Sequence, residues 1–481
     1  MRKILKNLTV SLLATLLLFA CGDDKYMGNY DYLNSDTEVS VTIDEETFVS
    51  LELATSVAEA FLSVEVAKKG AAKSFANASV ETVKDKNNNP SMYVVNYPEG
   101  GWVIVSATRN YVPVLAFSEK GSFEIKPAAE MGGAVLWLEE TKEAVRVSGF
   151  LADSTKTQMR SMWQTYETNG FKISESSGAK NYQMMEARID QLQALYGSSG
   201  WSKFAPLEDV IDFTITAHQN LLNLANSMGS PSEFTIVGIK YDYPPIQTVG
   251  PLMSTQWGQS YPYNVLCPSQ YPAGCVAVAI AQIMHRHRKP AFVSSPANHM
   301  FNWNNMPNTY TNTLTSASAI IASGLPALLS DIGINVNMQY GLNGSASNIY
   351  AAQAAFLNNY NYSAATIVSH DKFGVISQIN NQRPVYMRGE STQGGHAWVC
   401  DGARQDPANV LFFVEFFTGG GYNSYGYYTP SSPGIGNSWI LYYFQMNWGW
   451  NGSADGWFYE NSVNPSPYNF QTNRLNLYIT P

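Results

Sequence analysis

Gly274-Cys275, followed by Val276-Ala277-Val278-Ala279-Ile280-Ala281-Gln282-Ile283-Met284, is the most informative stretch of the chain. An apolar run of helical length, entered through the turn Tyr271-Pro272-Ala273-Gly274, reads as a buried helix whose first residue is a thiol. Unsatisfied N–H groups and the helix dipole at that end stabilise a thiolate, which is how a cysteine becomes a nucleophile. A lone cysteine before a buried helix is more often a small hydrophobe, so its surroundings decide.

At 481 residues the chain has room for two or three cores. Met1-Arg2-Lys3-Ile4-Leu5-Lys6 and the apolar stretch 8–20 read as a secretion signal too short to span a membrane. Leu18-Phe19-Ala20-Cys21 resembles a bacterial lipobox, which makes Cys21 the expected lipid-bearing first residue of the mature chain. Phe19 is not the usual residue there, and release by signal peptidase I is the alternative. Gly22-Asp23-Asp24 reads as an acidic tether of the kind that sends lipoproteins to the cell surface. The expected location is therefore outside the cytoplasm, as an outer-membrane or surface lipoprotein or as a secreted product. Membrane contact is expected only through that lipid.

Cys267, Cys275 and Cys400 remain, an odd number that leaves one thiol over; export permits a Cys267–Cys400 disulfide without indicating one. No CxxC pair occurs and the six histidines do not cluster with cysteines, so neither a structural zinc site nor a cofactor is expected. A net charge of −9 argues against a nucleic-acid partner, which requires a basic face. That charge lies wholly in the first 245 residues, with 21 basic and 30 acidic side chains, whereas residues 246–481 carry eight of each. Two differently built halves meet near Tyr243-Pro244-Pro245, where proline breaks helix and favours an extended linker.

The periodicity predicts a helix within 48–69, short strands at 92–97, 101–107 and 112–118, and helices at 134–147 and 182–195 within a helical region 127–225. In the second half it predicts a helix over 317–332 and strands at 385–387, 396–400, 411–414 and 440–444. The tract Gly419 to Gly436, rich in glycine, tyrosine and serine, reads as a long loop of the kind that carries function.

Three motifs change the weight on Cys275. In Gly394-Gly395-His396-Ala397-Trp398-Val399-Cys400-Asp401-Gly402 a histidine opens a strand behind two glycines that permit close backbone approach, although a single such histidine is more often structural. In Met446-Asn447-Trp448-Gly449-Trp450-Asn451-Gly452 an amide can fix a histidine tautomer while an indole shields the bond. In Ser254-Thr255-Gln256-Trp257-Gly258-Gln259 a glutamine amide can join the Cys275 N–H in holding an oxyanion; Gln256 competes with Gln259, and Gln282 is expected to point elsewhere. The order Gln, Cys, His, Asn is that of a papain-like thiol hydrolase.

On these residues, together with Pro262-Tyr263-Asn264, Asn302-Trp303-Asn304, Asp331-Ile332-Gly333 and Tyr340-Gly341, the second half resembles the streptopain family of papain-like cysteine peptidases. The module with Gly101-Trp102-Val103-Ile104-Val105-Ser106-Ala107 and Pro113-Val114-Leu115-Ala116-Phe117-Ser118 looks like that family's inhibitory propeptide. The resemblance implies an α+β chain: a small α+β propeptide domain, then a papain-like fold with a helical subdomain and a twisted antiparallel sheet or barrel. It implies a signal at 1–20, a tether at 21–45, the propeptide at 46–126, a helical extension and activation linker at 127–245, and the catalytic domain at 246–481.

Carried over by position, the resemblance implies Cys275 as nucleophile, His396 as general base and acid, Gln259 in the oxyanion hole, and Asn447 with Trp448 orienting His396. Ser345 and Gly395 would line the substrate cleft. The implied activity is zymogen-borne endopeptidase cleavage of proteins or peptides, with a hydrophobic residue preferred two positions before the cut and the propeptide as intramolecular inhibitor. Two departures from the family stand out. The long stretch between Gly402 and Asn447 would remodel one wall of the cleft, and the short tail after Gly456 lacks the family's glycine-rich loop, which bears on substrate preference. The helical extension 127–240 has no assigned role. An inactive adhesion or binding protein on the same fold, and a thiol amidase acting on cell-wall peptides, are the alternatives.

Overall fold

The computed structural model describes residues 47–68, 75–125, 133–151, 153–163, 166, 182–199, 201–206, 234–293, 299–310, 316–391, 394–418, 421–428, 438–460 and 474–481. The signal, the tether and Cys21 lie outside them.

The N-terminal module comprises α1 (Leu51–Lys68), β1 (Ser79–Lys84), β2 (Pro90–Asn96), β3 (Trp102–Ser106), β4 (Val114–Ser118), α2 (Gly133–Val147) and α3 (Asp153–Trp163). After it come α4 (Tyr182–Tyr196), β5 (Ser202–Pro206), β6 (Phe234–Asp242) and β7 (Gln247–Val249). The cysteine-bearing half contains α5 (Cys275–His287), β8 (Phe292–Val293), β9 (His299–Met300), α6 (Ala317–Ala322), α7 (Leu325–Asn335), α8 (Ile349–Ala354), β10 (Ala364–Ser369) and α9 (Lys372–Asn380). It ends with β11 (Val385–Ser391), β12 (Gly394–Thr418), β13 (Gly421–Tyr428), β14 (Ser438–Asn447), β15 (Gly456–Tyr459) and β16 (Leu475–Thr480).

The chain is α+β, and its antiparallel strands join one sheet in the order β1-β2-β3-β4-β15-β14-β12-β11-β16-β10. Strand β4 meets β15 through Phe117↔Trp457 and Ala116↔Phe458, so the N-terminal module continues the sheet of the second half. The two also share one core, in which Phe458 packs against Trp102, Phe123 and Trp137 at ring separations of 5.9, 6.5 and 4.8 Å. A second core gathers α5, α7, α8 and the sheet residues Tyr386, Ala397, Val399 and Leu477.

Four sequence expectations need correction. The stretches 396–400 and 411–414 are one 25-residue strand, because Pro407 within β12 interrupts the pattern but not the strand, which pairs it with Ile440 of β14. The tract read as a loop contains β13, paired with the far end of β12. The helix expected over 317–332 is two helices, broken at Gly324, whose positive φ of 80° caps the second. The region 127–240 is also not uniformly helical, since β5 and β6 lie in it.

Two buried arginines tie the halves together electrostatically. Arg404 on β12 holds Asp406 at 2.6 Å and Glu65 of α1 at 2.5 Å. Arg474 on the C-terminal segment pairs with Glu140 of α2 and lies 4.0 Å from Glu460, which also holds His370 at 2.7 Å. Each arginine thus has one carboxylate from the module and one from its own half. Removing the module therefore leaves neither arginine as an uncompensated buried charge, the costly outcome when an ion pair is broken. Glu140→Gln is expected to weaken docking of the module by about tenfold or more, because a hydrogen bond to a charged group contributes roughly 1.5–3 kcal/mol. Titrating the separated second half with wild-type and variant modules checks this.

Candidate active site

Helix α5 begins where the sequence places it. Gly274 precedes it at φ 91°, a left-handed value that favours glycine. A Cβ there would also lie 2.8 Å from the Met338 thioether and 3.2 Å from the Ser345 carbonyl. Cys275 is the first helical residue and 5% exposed; residues 275–285 are all buried, which explains the run without a polar face. Ser345 closes the turn from the other side, its hydroxyl donating to the Pro272 carbonyl at 2.6 Å.

His396 lies on β12 opposite Gly389 of β11, against α5. Val276, next to the thiol, and His396 line the same small cavity with Ser347, Asn348, Tyr386 and Arg388. The His396 Nε2 lies 3.2 Å from the Trp448 carbonyl, which can only accept. The ring proton is therefore on Nε2, and Nδ1 keeps the lone pair a general base needs. The indoles of Trp398 and Trp450 lie nearly parallel to the ring, at 6.4 and 6.2 Å. Burial pushes His396 down to about 4, with the Trp448 carbonyl acting in the opposite direction. In this form the imidazole is neutral at pH 7 and cannot stabilise a thiolate as an ion pair.

The module reaches this strand directly. A Cβ on Gly389, the residue opposite His396, would lie 3.3 Å from the Leu136 side chain of α2. Leu136 and Trp137 of α2 line one cavity with Trp398 and Trp448.

Of the pair expected to orient His396, the Asn447 side chain makes its described hydrogen bonds elsewhere. Its Nδ2 donates to the Thr255 carbonyl at 2.7 Å, and its Oδ1 accepts from Gln282 Nε2 at 3.0 Å and from the Gly449 N–H at 3.2 Å. The neighbouring main-chain carbonyl of Trp448 holds the imidazole instead, while the Trp448 indole is buried and donates to the Ala454 carbonyl at 3.1 Å. Gln282, expected to point elsewhere, belongs to this network: its Oε1 accepts from the Thr255 hydroxyl at 2.9 Å. The available signal was a glutamine seven residues after Cys275 in an otherwise apolar run, two turns along one helix face. Gln282→Ala is expected to lower kcat by about ten- to a hundredfold with KM little changed, through loss of positioning. Steady-state kinetics on the processed form checks this split.

Gln259 satisfies a different criterion. Its carbonyl accepts from the Ala273 N–H at 2.8 Å, which pins it beside the turn entering α5. It is 6% exposed, and its Nε2 is buried with no hydrogen-bond partner among the described residues. An unpartnered buried amide costs roughly 1–3 kcal/mol, so its presence beside a nucleophile suits a donor that awaits an oxyanion. Gln256 packs instead against Gly452, its Nε2 2.7 Å from where a Cβ would stand. Gly395 is half-buried on β12 opposite Glu390. Cys267 and Cys400 are buried thiols rather than a disulfide.

Behind the histidine lie two buried acids. Asp455 accepts from the Trp448 N–H at 2.9 Å, and Asp401 from the Met253 N–H at 2.9 Å. Burial raises them to about 8 and about 7, and the Asp401 charge adds to the rise at Asp455. From about pH 4 to 8 the unfolded chain has released protons that the folded chain keeps, so these groups lower stability as pH rises. His285, His287 and His396, each depressed to about 4 chiefly by burial, act in the opposite sense between about pH 4 and 6.5. Above pH 6.5 only the acids contribute of these five. Between pH 6.5 and 8 stability is therefore expected to fall by about 2 kcal/mol through Asp455 and about 1 kcal/mol through Asp401, which ionises in the folded chain near 7. Asp455→Asn, which keeps the acceptor, should flatten that slope in urea melts.

Site and fold have the arrangement of the papain-like cysteine peptidases, with an inhibitor-type module ahead of the cysteine-bearing half. Residues 257–458 match the Peptidase C10 family, and residues 46–145 match the Spi protease inhibitor. The cysteine-bearing half thus has the sequence pattern of the Peptidase C10 family. The inhibitor match extends past residue 126 and takes in α2. Among relatives, streptopain of Streptococcus pyogenes is 26% identical over 254 residues, covering 44% of this chain and 54% of that protein. The thiol protease/hemagglutinin PrtT of Porphyromonas gingivalis is 26% identical over 239 residues, covering 44% and 23%. The chain thus spans about half the length of streptopain and less of PrtT. A fragment of prointerpain A from Prevotella intermedia superposes with a TM-score of 0.45 at 17% identity, covering 83% of this chain and 98% of that one. Active interpain A gives 0.34 at 24% identity, covering 48% and 94%.

Proposed function

We propose that this chain is an exported cysteine endopeptidase made as a zymogen. The observation that carries the proposal is the convergence of a helix-head thiol, a histidine whose Nδ1 keeps its lone pair, and a buried amide donor without a partner. Cys275 Sγ gives its proton to His396 Nδ1 and attacks the peptide carbonyl; the oxyanion is held by Gln259 Nε2 and the Cys275 N–H. Collapse to the thioester expels the amine, protonated by His396, and water then regenerates the thiol as the acid product leaves.

Latency would follow if α2, whose Leu136 lies against Gly389 opposite His396, helps to keep the buried ring neutral. Departure of the module, the pro-region of the zymogen, then exposes the ring, lets its pKa rise toward the ordinary 6.5, and allows the thiolate–imidazolium pair to form. Tyr243, 58% exposed, and the exposed Pro245 and Ile246 make the linker accessible to one processing cut, a second one upstream being needed to free the pro-region. Export with a lipid on Cys21, substrate contact at Ser345 and Gly395, and preference for a hydrophobic residue two positions before the cut complete the proposal.

The test is to incubate the processed chain, under reducing conditions, with denatured casein and separately with peptidoglycan fragments. Casein cleavage supports the proposal. Turnover confined to the cell-wall fragments would replace it with the amidase reading, and no turnover together with no labelling by a thiol-directed peptidase inhibitor would remove both.

A further inference from the structure

We propose that α4, β5 and β6, within residues 182–242, are a permanent part of the peptidase, bound to the distal half of β12, and are not released with the pro-region. Retention itself stands on geometry alone; only its meaning for a mature enzyme rests on the peptidase reading.

The extension that had no assigned role and the long stretch before Asn447 meet here. Strand β6 runs antiparallel to β12 in continuous register from Phe234↔Phe417 to Asp242↔Asn409, nine residue pairs. On the other edge the same part of β12 carries β13, which belongs to the long stretch before Asn447. Strand β5 adds outside β6, and α4 packs across them. Together they form a core of their own from Met185, Leu192, Trp201, Phe204, Ile236 and Phe413. Phe413 on β12 contacts Tyr196, Phe204 and Trp201 at 5.4, 5.6 and 6.1 Å, so three aromatic rings from the upstream segment cover one from the catalytic half. Gly238 permits this, since the Phe204 ring lies 2.3 Å from where its Cβ would be. A buried ion pair closes the contact: Arg188 of α4 donates to both oxygens of Glu415, at 2.7 and 2.9 Å, and the Glu415 side chain is 1% exposed.

The pro-region is held differently. Its strand β4 shares two register pairs with β15, and its ion pairs fall on arginines that keep a second carboxylate after it leaves. Removing 182–242 would instead uncover a long ladder edge, strip Phe413 of its cover and take Arg188 from Glu415; an open edge of that length invites aggregation. A cut in the exposed linker would leave β6 and β7 each paired with β12, on either side of the break. One chain break there therefore frees nothing, and release of the pro-region requires a break upstream of Tyr182.

The full-length Cys275→Ala chain, cut with thermolysin and mapped by mass spectrometry, tests retention without any need for activity. The fragment containing 182–242 should co-elute with the catalytic fragment in size exclusion and separate from it in concentrated urea; separation in native buffer would overturn the proposal. Arg188→Met should speed dissociation of the nicked pair by about tenfold or more, and an unchanged rate would overturn the ion pair's part in it. Active wild-type enzyme purified natively should contain 182–242, covalently or as a second chain. Full specific activity without that segment would overturn the proposal. If the fragments stay together while the wild-type processed chain cleaves no protein, the peptidase reading fails and the retention stands.

Discussion

Cys275→Ala is expected to abolish peptide-bond cleavage, lowering kcat by about ten-thousandfold or more, because the reaction has no other group able to form the acyl-enzyme. The residual rate is what binding and the oxyanion donors supply alone. The substitution removes one sulfur from a helix whose first eleven residues are buried, and alanine is the best helix former, so the fold should tolerate it. Three measurements separate chemistry from folding: casein cleavage, labelling by a thiol-directed inhibitor, and thermal unfolding. Loss of the first two with little change in the third is the expected outcome. Cleavage equal to wild type would mean the activity belongs elsewhere. The variant should also accumulate as the unprocessed chain if the activating cut is autocatalytic, which N-terminal sequencing reads directly.

Gln259→Ala is expected to lower kcat by about a hundred- to a thousandfold with a smaller effect on KM, the signature of a donor used more in the transition state than in the ground state. The substitution also removes a buried amide nitrogen without a partner, so the variant should unfold at the same or a slightly higher urea concentration than wild type. Activity lost while stability is kept or gained distinguishes an oxyanion donor from a structural glutamine, whose removal would cost stability. Gln256→Ala serves as the comparison, since that side chain packs on Gly452, and its kcat should stay within a few-fold of wild type.

Much of the site was legible because its chemistry is tied to local backbone devices. Gly274-Cys275 before an apolar run, His396 behind Gly394-Gly395, and Gln259 upstream each carry their signal within a few residues. The helices 51–68, 133–147 and 182–196 follow the same rule, since a 3.6-residue period is a local property. What failed was whatever depends on residues far apart in sequence. Asn447 looked like the partner of His396, yet its amide is taken up by Thr255 and Gln282, 192 and 165 residues away, and the adjacent carbonyl does the orienting. The motif indicated Trp448, but through its indole; a main-chain carbonyl has no residue type, so the atom that meets the ring could not be read. The unity of β12 was hidden for a related reason: Pro407 reads as a break when its neighbours on β14 and β6 are unseen.

The sequence by itself determined that a thiol heads a buried helix, that a histidine, an asparagine and a glutamine of the right kinds flank it in order, and that an acidic module precedes it. Each is a matter of composition and short-range period, which the chain carries before it folds. The tertiary structure decided three further things. It chose Gln259 rather than Gln256 as the amide left with a donor to give, and it gave Asn447 and Gln282 to one supporting network. It also divided the first 245 residues between a pro-region resting on the catalytic sheet and a segment built into it. Those outcomes depend on which buried polar groups find partners and which strand edges are covered, and both are settled only when distant segments meet.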